Sequence, residues 1–158
     1  MSIKGGISKV KAKVDALNLS GKDKQPLVDF AFGTQKENFR GEIDFTYRHR
    51  NDVETKNLSI MANAYYDFPL YQTVKSFIGG GIGFSITEAW IDYYYYGNYG
   101  YSEKETELDL SWNIGVGLAI QANEKVNLDF SIRHINLGKI VDTKLETNEF
   151  LAGIRFNF

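Results

Sequence analysis

The side chains that suggest acid–base chemistry are His49 and His134, the two histidines of the chain. Ser131 precedes His134 by three positions, so a serine nucleophile with a histidine base is the first chemistry to consider. These groups must come within hydrogen-bond reach, but residues three apart in a strand point to opposite faces. Position 136, on the histidine's own face, is Asn136. The sequence therefore assigns no catalytic residue and predicts no enzyme, and both histidines are expected at strand ends, in phase with the apolar face.

A glycine-rich stretch at residues 79–83 suggests a phosphate-binding loop at first sight. It lacks the Lys-Ser/Thr pair that follows in a P-loop, and no helix signal comes after it. A strand whose glycines relieve crowding on one face is the better interpretation. The histidines and carboxylates show no metal-ligand spacing, and we expect neither a metal site nor a cofactor.

Charged side chains of both signs recur on one face of the alternating segments. Opposite charges on the inner face of a narrow barrel would meet, and buried charges are tolerated only when they are paired and hydrogen-bonded. The carboxylate Asp29 lies within reach of this set. We expect a lumen charge network made of Arg40, Glu42, Asp44, Arg48, Asp109, Asp129, Arg133, Glu149 and Arg155.

An aromatic stretch within residues 87–107 suggests recognition. Tyrosine offers a large amphipathic contact area at a low cost in conformational entropy, so this loop would bind a protein or a glycan. Alternatively, the same residues extend two strands and stack on one another. The aromatic residues are Trp90, Tyr93, Tyr94, Tyr95, Tyr96, Tyr99 and Tyr101.

The elements that must position these groups are strands, because eight segments alternate apolar and polar residues with period two. The clearest covers residues 108–120, where seven apolar residues occupy alternate positions. Short links at 33–38, 69–73 and 122–125 alternate along the chain with long polar links. An up-and-down sheet then places all long loops at one end and both termini at the other. We expect one domain, residues 1–158, with long loops at about 9–26, 49–56, 87–107 and 134–148.

Composition narrows the class of protein. The chain has 158 residues, 43% of them hydrophobic, a net charge of −2 and no cysteine. The charge disfavours a nucleic-acid binder, and the lack of cysteine excludes disulfides. No apolar stretch is long enough for a membrane helix. Residues 1–30 lack the apolar core of a signal peptide, so the sequence fits either a cytosolic chain or a mature form whose signal has been removed.

The distribution of side-chain volume indicates which face is inside. The apolar face carries most of the aromatic bulk, whereas seven glycines lie on the polar face. An eight-stranded barrel has an interior just wide enough for side chains to fill, so the bulky face belongs outside, against lipid. Strands of about ten residues span roughly 25 Å, the height of the apolar band of an outer-membrane barrel.

Three segments carry a resemblance to a known family. They are FIGGGIGF at 77–84, FRGEIDFTYR at 39–48 and the C-terminal FLAGIRFNF at 150–158. In this order they resemble the small OmpA/OmpX/opacity-type outer-membrane barrels of Gram-negative bacteria, over nearly the whole chain. The resemblance implies an all-β, eight-stranded antiparallel transmembrane barrel with a packed polar lumen, in the outer membrane. It also implies that Phe156 and Phe158 signal to the barrel assembly machinery.

The expected function is that of a monomeric surface protein without an open pore. Its loops would mediate recognition or adhesion to a host-surface or other extracellular ligand, or the protein would have a structural role in the envelope. Its other partners would be outer-membrane lipids and lipopolysaccharide, whose phosphates the lysines of residues 9–26 could contact.

Two alternatives come from other classes of protein. One is a soluble lipocalin-like carrier of an apolar ligand, although the early Gly-x-Trp of that family is missing, since Trp90 and Trp112 are the only tryptophans. The other is a lipid-A-modifying esterase, because some eight-stranded outer-membrane enzymes use a His–Ser pair on a strand.

Overall fold

The computed structural model describes residues 1–14, 22–50, 55–94, 100–140 and 143–158. Next to the gaps, at residues 10–14, 22–23, 50, 55, 89–94, 100–103, 139–140 and 143, it describes the backbone alone. Each strand pairs antiparallel with the next, and β1 pairs with β8 to close a barrel. The strands are β1 (Ser2–Val14), β2 (Lys22–Lys36), β3 (Phe39–Arg50), β4 (Thr55–Pro69), β5 (Val74–Tyr94), β6 (Gly100–Asn123), β7 (Val126–Ile140) and β8 (Thr143–Phe156).

The two faces of the wall follow the alternation of the sequence. Phe30 on the outside is 44% exposed, while its neighbour Asp29 in the lumen is fully buried. The same contrast holds along β8, where Phe150 is exposed and both Glu149 and Leu151 are buried. The predicted fold is confirmed: a closed antiparallel barrel with its apolar face outward. Among the described residues there is no helix long and apolar enough to span a membrane.

Short turns join the strands at one end of the barrel. Residues 37–38 connect β2 to β3, and Glu37 has the left-handed φ of 55° that so tight a turn requires. Residues 70–73 and 124–125 form the other two turns. Both termini lie at this end, where the amino group of Met1 donates to the carbonyl of Phe156 at 3.1 Å.

At the other end the strands run further than the sequence predicted. The range 87–107, expected as a loop, is mostly a two-stranded ribbon in which β5 and β6 stay paired up to Tyr94 and Gly100. Strands also continue into the predicted loops 9–26, 49–56 and 134–148. The reason is physical: the backbone ladder continues past the point where apolar alternation stops, because polar side chains can flank a strand in water.

Glycines make room in the lumen. A Cβ on Gly117 would meet the ring of Phe77, and one on Gly79 would meet the ring of Tyr65. On the outer face, by contrast, a Cβ on Gly5 or Gly41 would meet nothing within 4 Å. Side-chain volume is therefore limited at these two lumen positions and free at these two outer ones.

Candidate functional site

The centre of the lumen is organised around Arg133 of β7. Its guanidinium donates from Nε to Glu149 Oε2 at 2.9 Å, from Nη2 to Asp29 Oδ2 at 3.2 Å and from Nη1 to Asp44 Oδ2 at 3.3 Å. These carboxylates belong to three other strands, β8, β2 and β3. One side chain thus bridges the barrel from wall to wall, a role that suits the planar fork of arginine.

A second arginine, Arg48 of β3, completes the coordination of Glu149. Its Nε donates to Glu149 Oε1 at 2.6 Å, and its Nη1 donates to Asn57 Oδ1 at 2.9 Å and to Ser59 Oγ at 2.8 Å. Both oxygens of Glu149 therefore accept from guanidinium groups, which offsets the desolvation of a fully buried carboxylate.

Nearer the short-turn end, Arg40 forms the next layer. It donates from Nη1 to Glu42 Oε1 at 2.6 Å and from Nη2 to Asp67 Oδ1 at 3.3 Å. Its guanidinium carbon lies 4.3 Å from the ring centroid of Tyr65 and 4.9 Å from that of Phe77. The arginine is held both by carboxylates and by the faces of two aromatic rings.

The network has members that the prediction did not include. Lys4 of β1 places its Nζ 3.7 Å from Glu42 Oε2 and 3.8 Å from Asp29 Oδ1. Asp67 of β4 accepts a hydrogen bond from Arg40. Both residues lie in phase with the polar face of their strands, so alternation was the signal that could have found them.

Three predicted members lie away from the centre. Arg155 pairs with Asp129 at 3.3 Å near the short-turn end. Asp109 lies towards the long-loop end and is half-exposed. It packs beside Gly138, which has a φ of 93°, and a Cβ added to Gly138 would meet the aspartate side chain. The predicted charges therefore form layers along the lumen rather than one cluster.

Apolar side chains in the lumen add a layer that the sequence did not suggest. Met61, Ile135 and Leu137 are buried together, with Leu145 packed against them. A cavity of about 20 Å³ beside Arg133 has room for a single water-sized molecule. A vestibule of about 420 Å³ at the short-turn end reaches Arg40, Glu42 and Arg155. Side chains thus fill the described middle of the barrel.

The histidines lie on the outer face. His134 contacts Asn148 Oδ1 through Nδ1 at 2.8 Å, and its ring lies 5.7 Å from that of Trp112. His49 stacks on Tyr47 with ring centroids 6.4 Å apart. Ser131 lies on the lumen side of β7 with Arg133, so the wall separates it from the imidazole of His134. The local Ser–His pair of an esterase is absent from the described part of the chain.

The predicted aromatic loop divides between described and undescribed residues. Tyr95, Tyr96 and Tyr99 lie outside the described residues. In the ribbon, Tyr93 and Tyr101 are directly opposed, and Trp90 is opposite Lys104. Alternation places positions 90 and 94 on the outer face, together with Ile86. Positions 93 and 101 fall on the opposite face of the ribbon, which continues the lumen face of the barrel. At the base of the ribbon, Lys104 Nζ donates to Glu88 Oε1 at 2.8 Å.

The C-terminal aromatic residues lie at the short-turn end. Phe156 is the last residue of β8 and pairs in register with Val126 of β7. Phe158 is exposed beyond the strand.

An apolar outer wall, a plugged polar lumen and all short turns at one end define the class of protein, an integral membrane β-barrel of eight strands. The chain belongs to the family "Outer membrane protein beta-barrel domain", whose model matches residues 1–158. It is therefore a bacterial outer-membrane protein. In this family the short turns face the periplasm and the longer loops the outside.

Similar proteins share the fold at low sequence identity. Over 156 residues the chain is 24% identical to the outer membrane protein PagN of Salmonella typhimurium, with 75% of this chain covered, and it spans 65% of the length of that relative. Among solved structures, Neisserial surface protein A matches at 20% identity with a TM-score of 0.76, over 99% of this chain and 96% of the other.

Two further solved structures illustrate how varied proteins with this fold are. Ail, the attachment invasion locus protein of Yersinia pestis, matches at 17% identity and a TM-score of 0.56, over 99% of this chain and 97% of the other. The outer membrane enzyme PagL matches at 15% identity and a TM-score of 0.62, over 97% and 98%. The fold is shared by a surface protein and an enzyme, so the residues of this chain must distinguish between functions.

Proposed function

We propose that the protein is a non-enzymatic surface protein, closed to ions, whose β5–β6 ribbon recognises a ligand outside the cell. The observation that carries the proposal is the ribbon itself. Its strands have 21 and 24 residues, against 12 to 15 in the other six. An apolar band of about 25 Å needs only about ten residues of a tilted strand, so the excess projects beyond the membrane.

The ribbon carries the composition of a recognition surface. Aromatic positions occur on both of its faces, and tyrosine and tryptophan are the residues that most often dominate binding energy at interfaces. One face of β6 also carries Glu103, Glu105 and Glu107, which disfavours a strongly anionic ligand there. A protein or an uncharged glycan fits this surface better.

The test is adhesion by cells of a non-adherent Gram-negative strain that display the protein. Replacing residues 90–101 by a two-residue turn should reduce attachment to epithelial monolayers to the level of the empty strain. Trp90→Ala with Tyr94→Ala and Tyr93→Ala with Tyr101→Ala separate the two faces. The pair on the binding face should lower attachment about tenfold, and the other pair much less.

Folding must be checked for each variant, by the difference in gel mobility between boiled and unboiled samples in SDS. If cells with the shortened ribbon adhere as well as the parent, recognition by the ribbon is wrong, and a structural role in the envelope takes its place. The esterase alternative has a separate readout: release of fatty acid from lipopolysaccharide that stops with His134→Ala would support it.

A further inference from the structure

The vestibule at the short-turn end of the barrel has the size of a small-molecule site. Its volume is about 420 Å³, within the usual range for such sites. A smaller recess of about 80 Å³ lies next to it, and Gln35, Arg155 and Asn157 line both spaces. The vestibule and the recess therefore form one cleft that meets at Arg155.

The side chain of Arg155 is buried but only partly paired. The residue is 5% exposed, and its Nη2 lies 3.3 Å from Asp129 Oδ1. Its Nε and Nη1 are buried and have no hydrogen-bond partner among the described residues. A buried donor without an acceptor is costly, and more so when the donor is charged. Arg155 thus has donors for an acceptor that the described chain does not supply.

A second arginine forms the inner wall of the vestibule. Arg40 lines it as well, and its terminal nitrogens are already engaged by Glu42 and Asp67. The rings of Tyr65 and Phe77 lie against its guanidinium. Because Arg40 is held on several sides, it is a fixed wall, and the vestibule is a pocket rather than the mouth of a channel.

The charges around the vestibule favour a ligand with a single negative charge. Glu42 lines the vestibule, but its carboxylate is balanced by Arg40 and by Lys4, whose Nζ lies 3.7 Å from Glu42 Oε2. Glu37 also lines it and is exposed in the β2–β3 turn. One anionic group can therefore pair with Arg155, whereas a second would be repelled by these carboxylates. A carboxylate is the group of single charge that guanidinium binds well.

Uncharged hydrogen-bonding side chains line most of the recess. Besides the three shared residues, they are Gln72, Thr73, Gln121 and Asn127, with Lys75 and Ala119 completing the lining. Gln35 donates from Nε2 to the carbonyl of Glu37 at 3.1 Å and to Asp67 Oδ2 at 3.2 Å. Its own Oε1 then remains an acceptor for a ligand. Amide and hydroxyl side chains of this kind match hydroxyl or amide groups on the ligand.

Backbone hydrogen bonds hold the rim of the cleft in place. The amide of Gln121 donates to the carbonyl of Thr73 at 2.7 Å, which ties β6 to the turn at 70–73. The amide of Asn157 donates to the carbonyl of Lys125 at 2.8 Å, which ties the residues after β8 to the turn at 124–125. A rim fixed in this way loses little conformational entropy when a ligand binds.

We propose that this cleft binds a small monocarboxylate whose body carries hydroxyl or amide groups. The carboxylate accepts hydrogen bonds from Arg155 at the nitrogens that lack a partner, and the polar body extends into the recess. The short turns of such barrels face the periplasm, so the ligand is a periplasmic solute. The cleft lies at the opposite end of the barrel from the β5–β6 ribbon, and the inference does not rest on recognition by that ribbon.

The experiment uses the full chain, refolded into micelles of a nonionic detergent at constant ionic strength. Calorimetric titration compares D-gluconate, a polyhydroxylated monocarboxylate, with D-gluconamide, which has the same body without the charge. The parent should bind gluconate about tenfold more tightly, because hydrogen bonds to a charged group contribute about that factor. Equal affinities, or no binding of either compound, would overturn the proposal and leave the donors of Arg155 to water.

The role of Arg155 is tested without leaving a buried charge unpaired. Arg155→Gln with Asp129→Asn removes both members of the ion pair and should abolish the preference for gluconate. Asp129→Asn alone retains the guanidinium and should keep that preference. If the double variant still prefers gluconate, another group binds the carboxylate and the proposed site is wrong.

Asn157 allows a second test at an exposed position, where folding is not at risk. Asn157→Lys should tighten gluconate binding about threefold, and Asn157→Asp should weaken it by a similar factor. Glu124→Gln is the matched control: it also raises the net charge by one at this end of the barrel, but Glu124 is exposed in the β6–β7 turn and does not line the cleft. Equal gains from Asn157→Lys and Glu124→Gln would overturn the proposal, because net charge would explain them.

Inorganic phosphate tests the preference for a single charge. Above neutral pH it carries two charges and should bind more weakly than gluconate, whereas tighter binding of phosphate would overturn the assignment of a monocarboxylate. Each variant is checked for the SDS mobility shift and, on cells, for adhesion. A protein shortened in the ribbon should lose adhesion and still bind gluconate, so the failure of one proposal is distinct from the failure of the other.

Discussion

Positively charged side chains have different surroundings in two regions of this barrel, the lumen and the outer face. In the lumen, four of the five arginines meet carboxylates, and Arg133 alone touches Asp29, Asp44 and Glu149. On the outer face, lysines stand opposite lysines across strand pairs. The pairs are Lys9 with Lys24, Lys11 with Lys22, Lys13 with Lys144 and Lys139 with Lys144, and we call these positions the lysine wall. Arginine occupies the lumen, where one side chain must donate hydrogen bonds to several acceptors at fixed angles. Lysine occupies the outer face, where its charged group can reach into solvent.

The difference shows where each region finds its counter-charge. A charge inside an eight-stranded barrel is cut off from water, so its partner must come from the same chain. A charge above the apolar band can take its partner from the membrane. The lumen is therefore expected to be sensitive to the loss of single side chains, and the lysine wall to the surrounding lipid and salt.

The largest expected effect is the loss of the bridging arginine. Arg133→Met leaves Asp29 and Asp44 without their guanidinium donor, at a cost of about 3–5 kcal/mol in the free energy of unfolding. Guanidinium titration in detergent micelles measures it, with the SDS mobility shift as a second readout. Lys144→Met, at an exposed position of the lysine wall, should change the same free energy by less than about 0.5 kcal/mol. Similar costs for both variants would mean that the lumen charges are solvated.

A smaller effect is expected from added volume. Gly117→Val places its Cβ against both the ring of Phe77 and the backbone oxygen of Phe130, and it should destabilise the barrel by about 3 kcal/mol. Gly41→Val on the outer face has open space and should change stability by less than about 0.5 kcal/mol. The same unfolding titration compares them. If Gly41→Val cost as much as Gly117→Val, backbone conformation rather than lumen crowding would explain the glycines.

The smallest effect concerns like-charge repulsion in the lysine wall. Lys24→Gln removes the charge opposite Lys9, so the barrel should become more stable by a few tenths of a kcal/mol in neutral micelles. The gain should shrink as salt is raised, because exposed charges are screened. A loss of stability in neutral micelles at low salt would show that the lysines do not repel one another.

Much of the barrel could be predicted from single positions. The outward Phe30, Phe150 and Trp112 followed from alternation and volume. The ends of the strands did not, because the pattern fades near residue 87 while the β5–β6 ladder continues to Tyr94. Hydrogen bonding between strands depends on the partner strand, which local sequence does not reveal.

In the lumen, the sequence likewise predicted the direction of side chains but not their partners. That Arg133 and Glu149 point inward was evident from their phase in the strand. That Arg133 also reaches Asp44, 89 residues away in the chain, depends on the stagger of eight strands around the barrel. Lys4 and Asp67 were overlooked as partners for that reason, and so was the apolar layer around Met61.

The sequence by itself determined the class of membrane protein and the face that most strand residues occupy, since a two-residue period and the distribution of bulk are local properties. Only the tertiary structure decided which charges meet in the lumen. It also set lysines of four strands in one wall, because closing the barrel brings β1 beside β8 and sets residues from both ends of the chain side by side.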